Sequence, residues 1–387
     1  MNLLIYSHGF PNPVEEHRSA FVRDIIRFLP HDIKVTVIAP VPYFLNKQRG
    51  KSNISIPYFR TESLGNRNVE IYHPRYPLLP KNYLRCIVGF LEAIFTLNCV
   101  RKINKQVPID LIHVNWAFPD GVAVYCISKL TKIPYVITEH QGSIADLLNI
   151  TYYNMLLGHV YRGSRSLIIV SESLKKPLQL LKGGTPKPII VSNGIDTNRF
   201  QLVKKSLQLT KLLYIGNLIP GKGVEHLIRA ISILAADGIN LQLSIVGNGQ
   251  QREALIALAI KLNVAKQITF MGIIHPNDIP ALLLDHDLLV LPTLVESFGI
   301  VLIEAMAAGL PVLSTLGGGP QYIISPEVGV LVQPGSAKAI ADGIKDIMER
   351  WDAFEPQAIN DYCKQHYDIK DICKQLTSIY RKAIGAR

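Results

Sequence analysis

Two doubly wound α/β domains of nearly equal size are what this sequence predicts, and three observations predict them. The chain has 387 residues, more than a single hydrophobic core usually supports. Short apolar runs that read as buried parallel strands alternate with helical patterns from end to end. That rhythm breaks once, between Thr197 and Thr210, where Gln201-Leu-Val-Lys-Lys-Ser-Leu-Gln208 precedes a new first strand. The composition, 48% hydrophobic and 18% charged, belongs to a folded globular chain.

In the first half the strand runs are Leu3–Tyr6, Val35–Ile38, Asp110–Val114, Tyr135–Thr138, Leu167–Val170 and Ile189–Val191. In the second they are Leu212–Ile215, Leu241–Val246, Ile268–Phe270, Leu288–Leu291, Val312–Ser314 and Gly329–Val332. The expected domains are residues 1–200 and 201–370, followed by a helix in 371–387 that no strand follows and that is free to pack back on the first domain. Open α/β sheets bind ligands beyond the carboxyl ends of their strands, so two such sheets facing each other imply a cleft.

The net charge of +11 favours anionic partners: nucleic acid, phosphorylated small molecules or an acidic membrane surface. The charge is dispersed and no basic-aromatic motif accompanies it, which disfavours nucleic acid. Five scattered cysteines without a Cys-x-x-Cys spacing argue against a disulfide framework or zinc site and suit a reducing cytoplasm. The first residues run straight into strand-like sequence, so no signal peptide is expected, and no uncharged apolar run reaches the ~18 residues of a spanning helix. The expected location is cytoplasmic, with the inner face of the membrane left open. Two basic amphipathic segments, His17–Arg27 and Lys81–Phe95, raise that option, since they could rest on anionic headgroups or bury their apolar faces in the core.

Gly216-Asn-Leu-Ile-Pro-Gly-Lys-Gly223 follows the first strand of the second domain and opens a helix. Glycines allow close backbone approach, the helix start offers unpaired N–H groups and Lys222 adds positive charge, an arrangement suited to a diphosphate. The alternative is an ordinary Gly-rich turn with a solvated lysine. Further on, Glu296 and Glu304 flank Ser-Phe-Gly-Ile-Val-Leu-Ile. Within one helix they would lie about 80° apart and over two turns distant, too far to act as a close pair. If Glu296 lies in a loop and Ser297 or Phe298 starts the helix, the N–H groups of Phe298, Gly299 and Ile300 face the ligand while Glu304 meets another part of it. Asp285-His-Asp287 spells a metal-binding Asp-x-Asp, yet it straddles a helix end and a strand start, so its side chains need not converge.

The ordered set Gly216-Asn…Lys222-Gly223, Glu296-Ser-Phe-Gly-x4-Glu304-Ala-Met-Ala-Ala-Gly-Leu-Pro-Val, Gly317-Gly-Gly-Pro320 and Gly329-Val-Leu-Val-Gln-Pro334 resembles the family-4 retaining glycosyltransferases of GT-B fold. Phe10-Pro-Asn-Pro, Pro119-Asp-Gly121, Thr138-Glu-His140 and Val191-Ser-Asn-Gly-Ile-Asp196 extend the resemblance over the N-terminal half. It implies two Rossmann-like domains facing across a cleft, with Glu304 on the ribose of a nucleotide-sugar donor and Glu296 on its sugar hydroxyls. Backbone groups of Ser297, Phe298, Gly299 and Ile300 would join the donor site, Lys222 would neutralise the diphosphate, and Gly216 and Asn217 would line it. Met271, Gly272 and Ile273 would read the nucleobase, and Gly9 would approach the diphosphate from the N-terminal domain. The implied catalytic set is His140, Glu296 and Lys222, with no metal or other cofactor. An isolated histidine is more often structural, and His140 is singled out by its motif position. Two residues depart from the family: Asn217 stands where Arg is usual, and Gln321 where Glu is frequent.

The implied reaction is retaining transfer from a nucleoside diphosphate sugar, UDP-linked before GDP-linked, to a glycan or lipid-linked saccharide in cell-surface polysaccharide biosynthesis. A sugar-nucleotide epimerase of similar fold is a second reading. A non-catalytic nucleotide-sugar sensor is a third, suggested by the uncharged Asn217.

Overall fold

The structure, a computed structural model, describes residues 1–16, 19–44, 56–78, 85–142 and 144–385. His17, Arg18 and residues 81–84 of the two basic segments lie outside the described residues. The chain divides into two compact units, Met1–Asn193 with Ile369–Arg387, and Gly194–Asp368. These divisions fall a few residues before 200/201 and 370/371, where strand rhythm alone put them. Ile195 N donates to Tyr367 O (3.0 Å) and Thr197 Oγ1 to Asp368 (2.7 Å), which ties Gly194–Phe200 to the second unit.

In the first unit the strands are β1 (Asn2–Tyr6), β2 (Lys34–Ile38), β3 (Val41–Phe44), β4 (Phe59–Leu64), β5 (Arg67–Tyr72), β6 (Arg75–Leu78), β7 (Leu111–Asn115), β8 (Tyr135–Glu139), β9 (Ser166–Ile169) and β10 (Ile189–Ile190). Among the described residues, eight of them form one sheet in the order β10-β9-β8-β7-β1-β2-β5-β4, while β3 pairs with β6. All pairs are parallel except β4 with β5, which Gly65 joins in a left-handed turn at φ 61°. Strands β3 to β6 escape a search for apolar runs; β4 and β5 lie at the sheet edge and alternate exposed with covered residues. The helix Ala20–Phe28 buries Val22, Ile25 and Ile26 in the core of this unit. The last helix, Ile369–Gly385, buries Ile372, Leu376 and Tyr380 there, and Tyr380 Oη lies 2.8 Å from His113 Nδ1 on β7.

The second unit has β11 (Lys211–Ile215), β12 (Gln242–Val246), β13 (Ile268–Gly272), β14 (Leu288–Leu291), β15 (Val312–Thr315) and β16 (Gly329–Val332), all parallel. Their order is β13-β12-β11-β14-β15-β16. Apolar strand residues such as Leu213 and Leu289 are fully buried, as are Leu227, Ile231, Ile303 and Met306 on the helices. That two-sided burial is why the strands read as unbroken apolar runs.

Each sheet has one place where successive strands begin to be laid down on the opposite side. It lies between β1 and β7 in the first unit and between β11 and β14 in the second. At such switch points the loops beyond the strand ends diverge and leave a crevice for a ligand.

Candidate active site

In the second unit two loops meet over the switch point, Gly216–Gly223 after β11 and Pro292–Gly299 after β14. Thr293 Oγ1 and Leu294 N both donate to Gly221 O, at 3.1 and 2.8 Å. Gly223 takes φ 63°, and a Cβ there would stand 2.1 Å from Pro292 O, so only glycine lets the loops close. Lys222 Nζ then donates to Glu296 Oε2 at 2.6 Å, with the side chains 23% and 13% exposed. Glu296 Oε1 accepts from Phe298 N at 3.4 Å. Gly317-Gly-Gly-Pro320 backs this loop: Gly319 N donates to Glu296 O at 2.8 Å, and a Cβ on Gly318 would lie 2.5 Å from the same oxygen.

The helix expected from Ser297 or Phe298 starts instead at Ile300, with Gly299 before it at φ 102°. Phe298 is buried, its side chain part of the core, so the ring anchors the loop while its N–H faces Glu296. In the first turn of the helix Ile300–Ala307, Leu302 N donates to Gly299 O at 2.9 Å, while the amides of Ile300 and Val301 have no helical carbonyl one turn back. Ile300, Val301 and Glu304 make up the incompletely buried stripe of this otherwise covered helix. Glu304 therefore shares a face with the helix start, one turn beyond it. A lysine held by a single carboxylate, beside a helix N-terminus and a glycine-lined crevice, suits a ligand group that carries or develops negative charge. Gly223, Thr293, Gly318 and Gly319, which hold the two loops together, were not singled out as site residues from the sequence. Glycines with no room for a Cβ are their signal, visible only once the loops are in place.

Other expected donor residues lie further out. Gly216 follows β11 directly, and the Asn217 side chain next to it is exposed. Met271 and Gly272 end β13, two strands from the switch point, and Ile273 follows it; Gly272 sits at φ 75°, and Met271 and Ile273 expose their side chains. Asp287, the second acidic residue of the Asp-x-Asp, is engaged by hydrogen bonds. Its carboxylate accepts from Ser206 Oγ, Thr210 N, Thr210 Oγ1 and Lys211 N, which fastens the start of β11. Among the described residues no three His, Cys, Asp or Glu side chains gather as a metal-binding group.

In the first unit Gly9 follows β1, and a Cβ there would lie 2.7 Å from the Trp116 ring, so this ring accounts for the glycine. Trp116, at the end of β7, holds a left-handed backbone (φ 70°), which is strained for a residue with a side chain. Its ring lies between His8 and His140, with centroids at 5.2 and 5.3 Å. His140 Nε2 faces Asn115 Oδ1 at 3.1 Å and so carries the proton, while Nδ1 is buried without a hydrogen-bond partner among the described residues. Burial lowers its pKa to about 3, with His113 adding to the effect. His140 is thus a neutral imidazole, not a cation, at physiological pH. The neighbouring Glu139 is structural: its carboxylate accepts from Tyr161 Oη, Ala117 N and Gln141 N.

Sequence reading passed over a second pair here. Asp120 Oδ1 lies 2.7 Å from His8 Nδ1 and Asp120 Oδ2 accepts from His8 N at 2.9 Å, with the Asp120 side chain wholly buried and that of His8 25% exposed. Burial first and Asp120 second push the adjoining Glu92 carboxyl well above the usual range, so Glu92 is neutral.

Comparison with known proteins agrees with this architecture on both sides of the chain. Residues 19–199 match the family model Glycosyltransferase Family 4, and residues 195–365 match Glycosyl transferases group 1. The chain is 30% identical over 339 residues to the glycosyltransferase MJ1607 of Methanocaldococcus jannaschii, which has itself not been characterised, covering 82% of this chain and 85% of that one. It is 26% identical over 368 residues to TuaC of Bacillus subtilis, a glycosyltransferase provisionally named for teichuronic acid biosynthesis, covering 89% and 88%. The structure of Anabaena HepE in complex with UDP-glucose superposes with a TM-score of 0.71 at 20% identity, covering 98% of each chain. Two switch-point sheets, the matched families over both halves and the 30% identical relative identify the chain as a member of glycosyltransferase family 4, a glycosyltransferase of GT-B fold.

Proposed function

We propose that this protein is a retaining, metal-independent glycosyltransferase. It moves a sugar from a nucleoside diphosphate sugar, UDP-linked before GDP-linked, to a glycan or lipid-linked saccharide in cell-surface polysaccharide assembly. The observation that carries the reading is the Lys222–Glu296 pair at the switch point of the second unit. Breaking the bond between the anomeric carbon and phosphate leaves negative charge on the diphosphate, and a preorganised cation and helix amides placed there lower the barrier. Lys222 leaves Glu296 for the diphosphate, and Glu296 is freed for the sugar hydroxyls. The acceptor oxygen bonds to the anomeric carbon on the face the phosphate departs from, and the phosphate oxygen takes the acceptor's proton. Glu304, one turn into the helix, holds the ribose, and the exposed ends of Met271 and Ile273 flank the base.

Two likenesses support the finer parts: HepE was solved with UDP-glucose, and TuaC is named for teichuronic acid biosynthesis. Contact with an anionic membrane surface belongs to the same reading. On the helix Val88–Gln106, Ile94 and Phe95 are exposed, and Arg101 and Lys102 follow two turns later on the same side. Among the described residues no helix is long and apolar enough to cross a membrane.

Incubation with UDP-, GDP- and ADP-sugars, with and without saccharide acceptors, tests the reading. Acceptor-dependent nucleotide release supports transfer, an altered donor sugar means epimerisation, and binding without chemistry means a sensor. The anomeric configuration of the product, read by NMR, decides retention. Glu304→Ala weakens donor binding; unchanged donor affinity would remove the ribose role.

A further inference from the structure

A cavity of about 370 Å³ lies at the amino ends of β8 and β9, where the helices Val122–Thr131 and Thr151–Gly163 end. Four basic residues line it, Lys129, Lys132, Arg162 and Arg165, together with Tyr125 and Tyr135. Glu139 and His140 stand at the other end of β8, roughly 13 Å away at ~3.3 Å per residue, so the cavity is remote from the crevice over the strands' carboxyl ends. Basic residues at the last turn of a helix usually serve its unpaired carbonyls. Here other donors have taken those carbonyls. Ile127 O accepts from Thr131 Oγ1 and Ser128 O from Lys132 N, both at 2.8 Å. Val160 O accepts from Tyr135 Oη at 2.6 Å, and Tyr161 O from Ser164 Oγ at 2.7 Å. The Lys129 ammonium lies instead over the Tyr125 ring, 5.4 Å from its centre. Arg162 Nη1 donates to Lys182 O and Gly184 O at 3.1 and 3.2 Å, which fixes its guanidinium. A Cβ on Gly163 would stand 2.7 Å from Tyr135 Oη and 3.0 Å from the Tyr125 ring, so glycine keeps the space between the two rings open. Lys132 holds φ 65°, a left-handed turn that glycine takes without strain, and a lysine there sets one more cation on the wall at a conformational cost.

We propose that this cavity is a second ligand site, separate from the catalytic crevice, and that it takes an organic phosphate monoester: Lys129, Lys132, Arg162 and Arg165 hold the phosphate, and the Tyr125 ring meets the body attached to it. Cations gathered in one cavity repel one another, and a phosphate dianion relieves that repulsion while accepting their charge-assisted hydrogen bonds. The volume falls within the ~300–1,000 Å³ of small-molecule pockets, ample for a phosphate with a sugar-sized body. All four basic side chains are exposed, so each contact is screened and binding weakens with salt. A soluble sugar phosphate and the headgroup of phosphatidic acid offer the same chemistry. The inference goes beyond the transferase reading and does not depend on it.

Calorimetry with fructose 1,6-bisphosphate, and flotation with phosphatidylcholine vesicles with and without phosphatidic acid, test this on the full chain. At least one of the two phosphate probes binds. Lys132→Gly removes a cation where the backbone prefers glycine, so the variant folds, and it weakens binding about threefold. Lys129→Gln combined with Lys132→Gly weakens it about tenfold, the loss of two screened charge contacts. Lys222→Ala leaves it unchanged, which separates this site from the Lys222–Glu296 pair. Lys132-dependent binding of the bisphosphate alone identifies a soluble ligand, and of phosphatidic acid vesicles alone a headgroup; both together mean that the site accepts either source. No binding of either probe, binding that survives the double variant, or an equal loss in Lys222→Ala each overturns the proposal.

Discussion

The switch points of the two units are built alike and equipped differently. In each, a basic side chain from the loop after the first strand reaches a carboxylate supplied from across the crevice: His8 to Asp120 over β1 and β7, Lys222 to Glu296 over β11 and β14. In the second unit both partners are partly exposed, the loops are glycine-rich and a helix begins beside them. In the first unit the carboxylate is wholly buried and the base is an imidazole. One topology thus carries two pairings, a lysine with a partly exposed carboxylate and a histidine with a buried one. The difference comes from the loops, because the strands do no more than deliver the chain to the crevice.

The largest effect that could break this contrast is expected at Lys222. Lys222→Ala lowers kcat/KM by about 10²–10³-fold, the usual cost of losing one preorganised group that stabilises developing charge. Steady-state kinetics on donor and acceptor separately should place this loss on the donor side; equal losses for both substrates would remove the pair from the donor site.

The two glycines that admit the pairs should also differ. Gly223→Val forces a side chain into Pro292 O at φ 63° and costs ~1–3 kcal/mol or more. Gly9→Ala meets the Trp116 ring, which can tilt, and costs less. The sequence contains two tryptophans, Trp116 in the first unit and Trp351 in the second, so urea unfolding of Trp351→Phe and Trp116→Phe proteins reports on each unit alone. A larger loss for Gly9→Ala would reverse the argument.

Acid should separate the units next. Burial lowers the pKa of His113 and of His73, both in the first unit, to about 4. In the unfolded chain a histidine protonates near 6.5, so falling pH protonates the unfolded state first and stability declines from about pH 6.5 toward pH 4. Each such histidine should cost ~2 kcal/mol between pH 7 and pH 5. Trp116 fluorescence in urea follows this, and His113→Gln should flatten the slope by one histidine's share. A midpoint independent of pH would mean that these rings open to water before the unit unfolds.

The smallest change is expected at Asn217, where the family usually has arginine. Asn217 is exposed beside Gly216, and an added charge at such a site contributes only ~0.2–1 kcal/mol. Asn217→Arg should tighten UDP binding a few-fold at most by calorimetry, and less in high salt. A hundredfold gain would mean that this loop, not the Lys222–Glu296 pair, limits donor binding.

Much of the fold was legible because parallel strands covered on both faces must be apolar along their length. Twelve such runs sufficed to place two doubly wound sheets. Strands β3 to β6 were not legible, since the exposed edge alternates and carries Arg60, Glu62 and Glu70. The division falls at Asn193 and not at 200: Ile195 and Thr197 donate to the end of the helix Pro356–Tyr367, through bonds that join residues far apart in sequence. At the candidate site, Lys222 and Glu296 stood out as chemistry in sequence but their pairing did not, being 74 residues apart. His8 attracted no attention at all: its partner Asp120 lies 112 residues away.

By itself the sequence determined what depends on near neighbours. It specified which segments become strands and helices, where glycines permit a sharp loop, and through its motif order the family to which the chain belongs. Tertiary structure decided which carboxylate meets which base, that Asp287 fastens the start of a strand, and that His140 is a neutral ring. Those outcomes depend on burial and on contacts between distant segments. A side chain's solvation, and hence its charge and its hydrogen-bond partner, exists only once the strands have brought those segments to one crevice.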